Sequence, residues 1–219
     1  MNSLKPTQRL RRSEDIEAEL KLAIISGEIP AGSRIRVEEY AERFSASLSP
    51  VREALSRLSM SGPVRAEKNR GFHVPELSIH ELEELFWLRT QIETRGVRIG
   101  IAHGDVAWEA DLVAAFHKLY RTDQVTPNPA WESAHREFHL ILIQGARMPI
   151  MSEFCDRLQN MADRYRVQLE TRLNMRDSHS EHREILEAVL AKDADLADKL
   201  LSEHHQLTLE RVRARFLGA

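Results

Sequence analysis

The stretch Val37–Val74, VEEYAERFSASLSPVREALSRLSMSGPVRAEKNRGFHV, constrains this chain more than any other. Val37, Tyr40, Ala41 and Phe44 recur at helical spacing on one face. The serine-rich SASLS that follows breaks the pattern, because serine side chains compete for nearby backbone groups. A second helix is expected from Ser49, with Ser49 as N-cap, Pro50 at the first helical position and Glu53 aiding the N-terminus. Its apolar stripe is Val51, Ala54, Leu55 and Leu58, and Gly62-Pro63 ends it. Val64–Val74 then reads as a two-stranded basic hairpin turning at Asn69-Arg70-Gly71. Two short helices, a tight turn and a basic wing outline a winged helix-turn-helix. Its second helix would enter the major groove of double-stranded DNA and present Arg52 and Arg57, with Lys68 and Arg70 at the wing tip reaching phosphates or a minor groove. The competing reading is a small helical subdomain with an ordinary hairpin.

The residues that precede this stretch extend the same head. A polar arm with Arg9, Arg11 and Arg12 leads into a helix begun by Ser13, whose buried face would be Ile16, Leu20, Ala23 and Ile24. Gly27 closes it, Pro30-Ala31-Gly32 turns, and Gly32–Arg36 is a short strand placed to pair with the wing.

From Ser78 onward every pattern is helical. Six helices are expected, over about 78–102, 105–122, 128–146, 148–173, 178–191 and 194–215, joined by short turns. The fold class is therefore mostly α: an N-terminal winged helix-turn-helix over residues 1–76 and a C-terminal all-α six-helix bundle over 77–219. Charge divides along the same line. Residues 1–76 hold 13 Lys/Arg against 11 Asp/Glu, and the remainder 18 against 23, a basic head on an acidic body. A single cysteine, Cys155, rules out a disulfide framework and a Cys-rich zinc module and fits a reducing cytoplasm. The longest aliphatic run, Leu140–Ile143, is far too short to span a membrane.

Four of the ten histidines sit on apolar faces. His135 and His139 are one turn apart beside Trp131, Phe138 and Leu142; His182 shares a face with Ile185, Leu186 and Val189; His204 shares one with Ala197, Leu200 and Leu201. An unpaired buried polar group costs about 1–3 kcal/mol, so four separate imidazoles are hard to satisfy. A shared divalent transition metal would satisfy all four, and Zn or Ni suits an all-nitrogen set. From the residues alone, plain core histidines and a metal site both stay open. His205 faces away from His204 and is left out of the set. Arg89 also lies on an apolar face and needs a carboxylate, either its i+4 neighbour Glu93 or a ligand. Arg164 and Tyr165 are further candidates for the same pocket.

Two sets of residues carry a family resemblance. IISGEIPAGSRI (24–35), SLSPVREALSRL (47–58) and GFHV (71–74) resemble the winged helix-turn-helix of the GntR transcription regulators. By that resemblance Ser47, Ser49, Arg52 and Gly71 fall where family members contact DNA, while Leu48 stands where the family usually has Arg. Residues 80–212, with FH at 138–139, EHREIL at 181–186 and KDADLADKLLSEH at 192–204, resemble the all-helical ligand-binding domain (FCD type) of the FadR branch. That resemblance implies a metal held by His135, His139, His182 and His204, with His135 where the family usually has Asp, and Arg147 where relatives often have Asn. It also implies a small carboxylate effector, with Arg89 the favoured contact. WEADLVAAFHKL (108–119) and AHREFH (134–139) resemble a carbon-starvation-induced, dicarboxylate-responsive repressor of that branch. Together these imply a cytoplasmic, metabolite-responsive repressor, a homodimer on a pseudo-palindromic operator. The alternatives are a metal-dependent enzyme carried on a DNA-binding head, or a bundle serving dimerisation alone.

Overall fold

The computed structural model describes residues 12–122, 128–169 and 175–218. The expected arginines of the arm, Arg9 and Arg11, and the last turn expected for the 148–173 helix lie outside the described residues. The chain forms two compact units that part between Glu76 and Leu77, with residues 25–27 grouped with the second.

The first unit opens with α1 (Ser13–Ile25), whose first turn carries Glu14 and Asp15 as the helix dipole favours. β1 (Arg34–Ile35) follows, then α2 (Val37–Arg43) and α3 (Leu48–Ser61). The wing is β2 (Arg65–Glu67) and β3 (Gly71–His73), and the sheet order is β1-β3-β2, antiparallel throughout. Arg34 pairs with His73 and Ile35 with Phe72, so the short strand does join the wing. Asn69 and Gly71 both take left-handed backbone (φ 66° and 79°), which lets a three-residue loop reverse the chain. The core is the set expected from periodicity: Ile16, Leu20 and Ile24 of α1 against Val51, Leu55 and Leu58 of α3, with Val37, Ala41 and Phe44.

One boundary differs. The second helix begins at Leu48 with Ser47 as its N-cap, two positions earlier than Ser49 and Pro50 suggest. Pro50 becomes the third helical residue. It still lies in the first turn, where an N–H has no intrahelical acceptor and its loss removes nothing. Glu53 spends its carboxylate on Arg57, at 2.9 Å.

The second unit is six helices: α4 (Ile79–His103), α5 (Val106–Arg121), α6 (Pro129–Gln144), α7 (Pro149–Gln168), α8 (Met175–Leu190) and α9 (Ala194–Gly218). Their starts are chemically marked. Ser78 Oγ accepts from Glu81 N, Asp105 Oδ1 from Trp108 N at 2.9 Å, and Asn128 Oδ1 from Ala130 N at 3.0 Å. Pro129 and Pro149 open α6 and α7. α4 packs against α9, α7 and α6; α5 lies on α6 and α8; α9 also packs on α8. Trp108 pins this arrangement: its indole N–H donates to Ile141 O at 2.7 Å. A Cβ on Gly145 would come within 2.6 Å of the Trp108 ring, so only glycine allows that approach.

Candidate metal centre and nucleic-acid interface

Three helices deliver four imidazoles to one place. His135 and His139 project from α6, His182 from α8 and His204 from α9, all buried. One ring nitrogen from each lies within 4.8 Å of the others. His182 and His204 have ring centroids 4.6 Å apart, and His135 and His139 4.7 Å.

Hydrogen bonds assign the inward nitrogen of two of them, and a carboxylate contact assigns that of a third. His182 Nδ1 donates to Ser178 O at 2.5 Å, one turn back on α8. His204 Nδ1 is 2.8 Å from Glu181 Oε2. His139 Nδ1 is 3.3 Å from Glu93 Oε2. With Nδ1 carrying the proton in each case, the Nε2 lone pairs are left to converge. His139 Nε2 and His182 Nε2 stand 3.3 Å apart. Two facing lone pairs repel; a cation between them removes the conflict. The spacing matches the edge of a tetrahedron with bonds of roughly 2.0–2.1 Å to nitrogen. An acceptor facing the Nδ1–H, with Nε2 left to ligate, is the arrangement that orients and enriches metal-bound imidazole. The residues therefore fit a divalent transition metal.

Burial keeps the cluster neutral, which is the ligating form. Burial pushes His135 and His204 well below the ordinary histidine range, helped at His135 by the Arg166 cation. Burial and neighbouring His139 bring His182 to about 3. At His139 burial also lowers the pKa, against the pull of Glu93.

Two charged groups flank the histidines. On one side Arg89 Nε donates to Glu93 Oε1 at 2.8 Å, and His205 Nε2 lies 3.2 Å from Glu93 Oε2. Burial would raise the Glu93 carboxyl, but Arg89 and His205 with hydrogen bonds from His139 and His205 hold it well below the usual range. On the other side Trp131 stacks on His135 at 4.9 Å, with Arg166 5.2 Å above the Trp131 ring. Arg166 is itself held by Glu132 and by Asp163 at 2.8 Å, and Asp163 also takes Arg136 at 2.7 Å.

The structure brings the four predicted histidines together. It places Arg89 on Glu93, the protein-internal partner. Arg164 and Tyr165 go elsewhere: Arg164 Nη2 is 3.4 Å from Glu81, and the Tyr165 hydroxyl donates to the same carboxylate at 2.5 Å, in the apolar cluster of Leu82, Leu85 and Phe86. Arg164 and Arg166 are two residues apart and so point to different sides of α7, and it is Arg166 whose charge reaches the histidines. His205, expected outside the set, is rotated about 100° from His204. α9 lies between α8 and α4, so that rotation carries His205 to α4 and Glu93.

In the first unit Ser47, Leu48, Ser49 and Arg52 are exposed along the start of α3, as a groove-entering helix requires. Lys68 is exposed at the wing tip with no ion-pair partner among the described residues, and Gly71 is exposed beside it. Arg57 is engaged within the fold. It pairs with Glu53 at 2.9 Å, Glu17 at 3.4 Å and Glu14 at 3.6 Å, so it anchors α3 to α1. Arg70 pairs with Glu67 at 2.9 Å.

Comparison with known proteins agrees with both halves. Residues 12–74 match the family described as bacterial regulatory proteins, gntR family, and residues 84–207 match the FCD domain. The HTH-type transcriptional regulator BphR of Paraburkholderia xenovorans is 33% identical over 202 residues, covering 89% of this chain and 82% of its own length. The HTH-type transcriptional repressor GlaR of Escherichia coli is 29% identical over 194 residues, covering 84% of this chain and 88% of its own. Among solved structures, E. coli McbR/YncC superposes with a TM-score of 0.76 at 23% identity, covering 95% of this chain and 100% of that one, and this shows the fold. These relatives are DNA-binding regulators, and the enzyme alternative falls with that. The chain belongs to the GntR family of bacterial DNA-binding transcription regulators, in the branch that carries an FCD domain.

Proposed function

We propose that the chain is a metal-dependent, small-carboxylate-responsive repressor. Residues 1–76 read the operator, and residues 77–219 hold the metal and effector and form the homodimer. What supports the reading is the convergence of one ring nitrogen from each of four histidines, with Nδ1 hydrogen-bonded outward at His182 and His204 and facing Glu93 at His139. His135, His139, His182 and His204 would be the ligands, with Zn or Ni favoured by their nitrogen donors. A metal of coordination number above four, when bound, would keep a position open beside the four imidazoles and supply a Lewis-acidic anchor for an effector carboxylate.

The protein's own groups shape the rest. With all four ligands neutral, the site carries no ligand charge to offset the cation and favours an anionic effector. Arg89 is the nearer arginine on the Glu93 side, and a carboxylate that engages it competes with Glu93 for the guanidinium. The effector acts by its differential affinity for DNA-bound and DNA-free arrangements of a dimer acting in the cytoplasm. In the head, Ser47, Ser49, Arg52, Lys68 and Gly71 are the DNA contacts of this reading; Arg57 and Arg70 take part only if they exchange their carboxylate partners for phosphate.

The test is a thermal melt of the full chain against a panel of small mono- and dicarboxylates, metal-loaded and after chelation. It is paired with a mobility shift on DNA fragments selected by the protein. An effector that raises the melting temperature only in the loaded protein, and changes DNA affinity, is the expected result, because a ligand of the native state stabilises it by mass action. A panel without effect in either state contradicts the proposal.

A further inference from the structure

The head carries a second cationic feature besides the recognition helix. A crease of about 430 Å³ runs between β1, the outer face of α3 and the start of β3, and Arg34, Arg36 and Arg52 all line it. Arg34 and Arg36 flank Ile35, which is buried at 2% exposure. Alternation along an extended chain therefore sends both arginines to the solvent side. The strand is fixed to the wing through Arg34–His73 and Ile35–Phe72, so the two cations stand on a rigid support.

Charge pairing separates these three from Arg12, Arg43, Arg57 and Arg70. Arg12 is with Asp15, Arg43 with Glu28, Arg57 with three carboxylates of α1 and α3, and Arg70 with Glu67. Arg34, Arg36 and Arg52 have no ion-pair partner among the described residues. Glu38 also lines the crease and pairs with none of them, which leaves the crease cationic by two charges. At its edge Gly71 offers no side chain: a Cβ there would lie 3.9 Å from Arg34 Nη2. Three unpaired guanidinium forks around an open crease suit a phosphodiester, which they can meet with paired N–H donors.

We propose that this crease seats a backbone phosphate of the operator, with Arg34 and Arg36 as phosphate-contacting residues beside Arg52. The contact moves charge from the start of α3, where Leu48 stands, to β1. It fixes the register of the head on the duplex without reading bases.

The experiment is fluorescence anisotropy of the full chain with a labelled mixed-sequence duplex, titrated at several salt concentrations. Each lost phosphate contact lowers the slope of log affinity against log salt by about 0.9. Arg34→Ala/Arg36→Ala, which empties the one phosphate seat, should lower it by about 0.9 and weaken binding alike on mixed-sequence and selected DNA. Arg36→Lys should keep the wild-type slope, and so should Arg43→Ala, whose guanidinium is already paired. An unchanged slope in the double variant overturns the proposal. So does an equal loss in Arg43→Ala, which would make the effect one of overall charge. If the double variant melts early, Arg36→Ala alone decides, since Arg36 is exposed and makes no side-chain cap bond.

Discussion

Replacing Glu93 by Gln should be among the most damaging single changes in the helical unit. The side chain is fully buried and its carboxylate serves Arg89 at 2.8 Å, His205 at 3.2 Å and His139 at 3.3 Å. Glutamine keeps the shape and removes the charge, which leaves the Arg89 cation buried without a counter-ion. Breaking a buried pair from one side costs about 3–5 kcal/mol. At about 2–4 °C per kcal/mol for a protein of this size, the chelator-treated variant should melt roughly 6–20 °C below wild type. Calorimetry or circular dichroism reads this directly. The pair also allows a cycle. Arg89→Met with Glu93→Leu removes both charges and should recover most of the loss, because an apolar replacement of a buried pair is often neutral. In the metal-loaded state Glu93→Gln should lower metal affinity about 10–100-fold, as loss of an orienting partner typically does. A chelator-treated variant melting within about 1–2 °C of wild type would show that Glu93 does not compensate Arg89.

Three further outcomes are expected. Arg52→Ala should weaken DNA binding, measured by anisotropy, with the melting temperature unchanged, because its side chain is exposed and has no ion-pair partner among the described residues; full affinity would remove the outer face of α3 from the interface. Gly104→Ala should destabilise by about 1–3 kcal/mol, because the added Cβ would meet the Trp108 ring and come within 2.6 Å of Gly100 O; an unchanged melt would mean that Trp108 moves aside freely. Acidification should unfold the chelator-treated protein early. His182 and His205 are held at about 3 and 4 against an ordinary 6.5, so below pH 6.5 the unfolded chain binds protons that the folded chain refuses. Stability should fall from pH 6.5 down toward those values at about 1.4 kcal/mol per pH unit for each such histidine, and a flat melting temperature between pH 7 and 5 would contradict it.

The helices were legible because their signals are local. Spacing marked the buried faces of α1 and α3, and Ser78, Asp105, Asn128 and Pro149 marked where helices start. The four histidines were legible because polar residues repeatedly interrupted apolar stripes. What stayed hidden depends on neighbours distant in the chain. The start of α3 turned on whether Ser47 or Ser49 takes the cap, and nothing in the run SLSP separates them. Glu93 reads as an ordinary i+4 partner of Arg89 until His139 and His205 arrive from α6 and α9. The same holds for Arg166: only the packing of α7 on α6 shows that it faces Glu132 and Trp131 while Arg164 turns to Glu81. Arg34 and Arg36 likewise look like any surface arginines before the other guanidiniums of the head find their carboxylates.

The proposed function stands on the four histidines forming a metal centre. The most direct measurement is metal content per chain, by elemental analysis after loading with Zn or Ni and exhaustive dialysis, for wild type and His139→Ala. One equivalent should be retained by wild type and lost in His139→Ala, with a higher melting temperature only in the loaded wild type. Equal metal content in the two proteins, or none in either, would contradict it and leave the imidazoles as packed core residues.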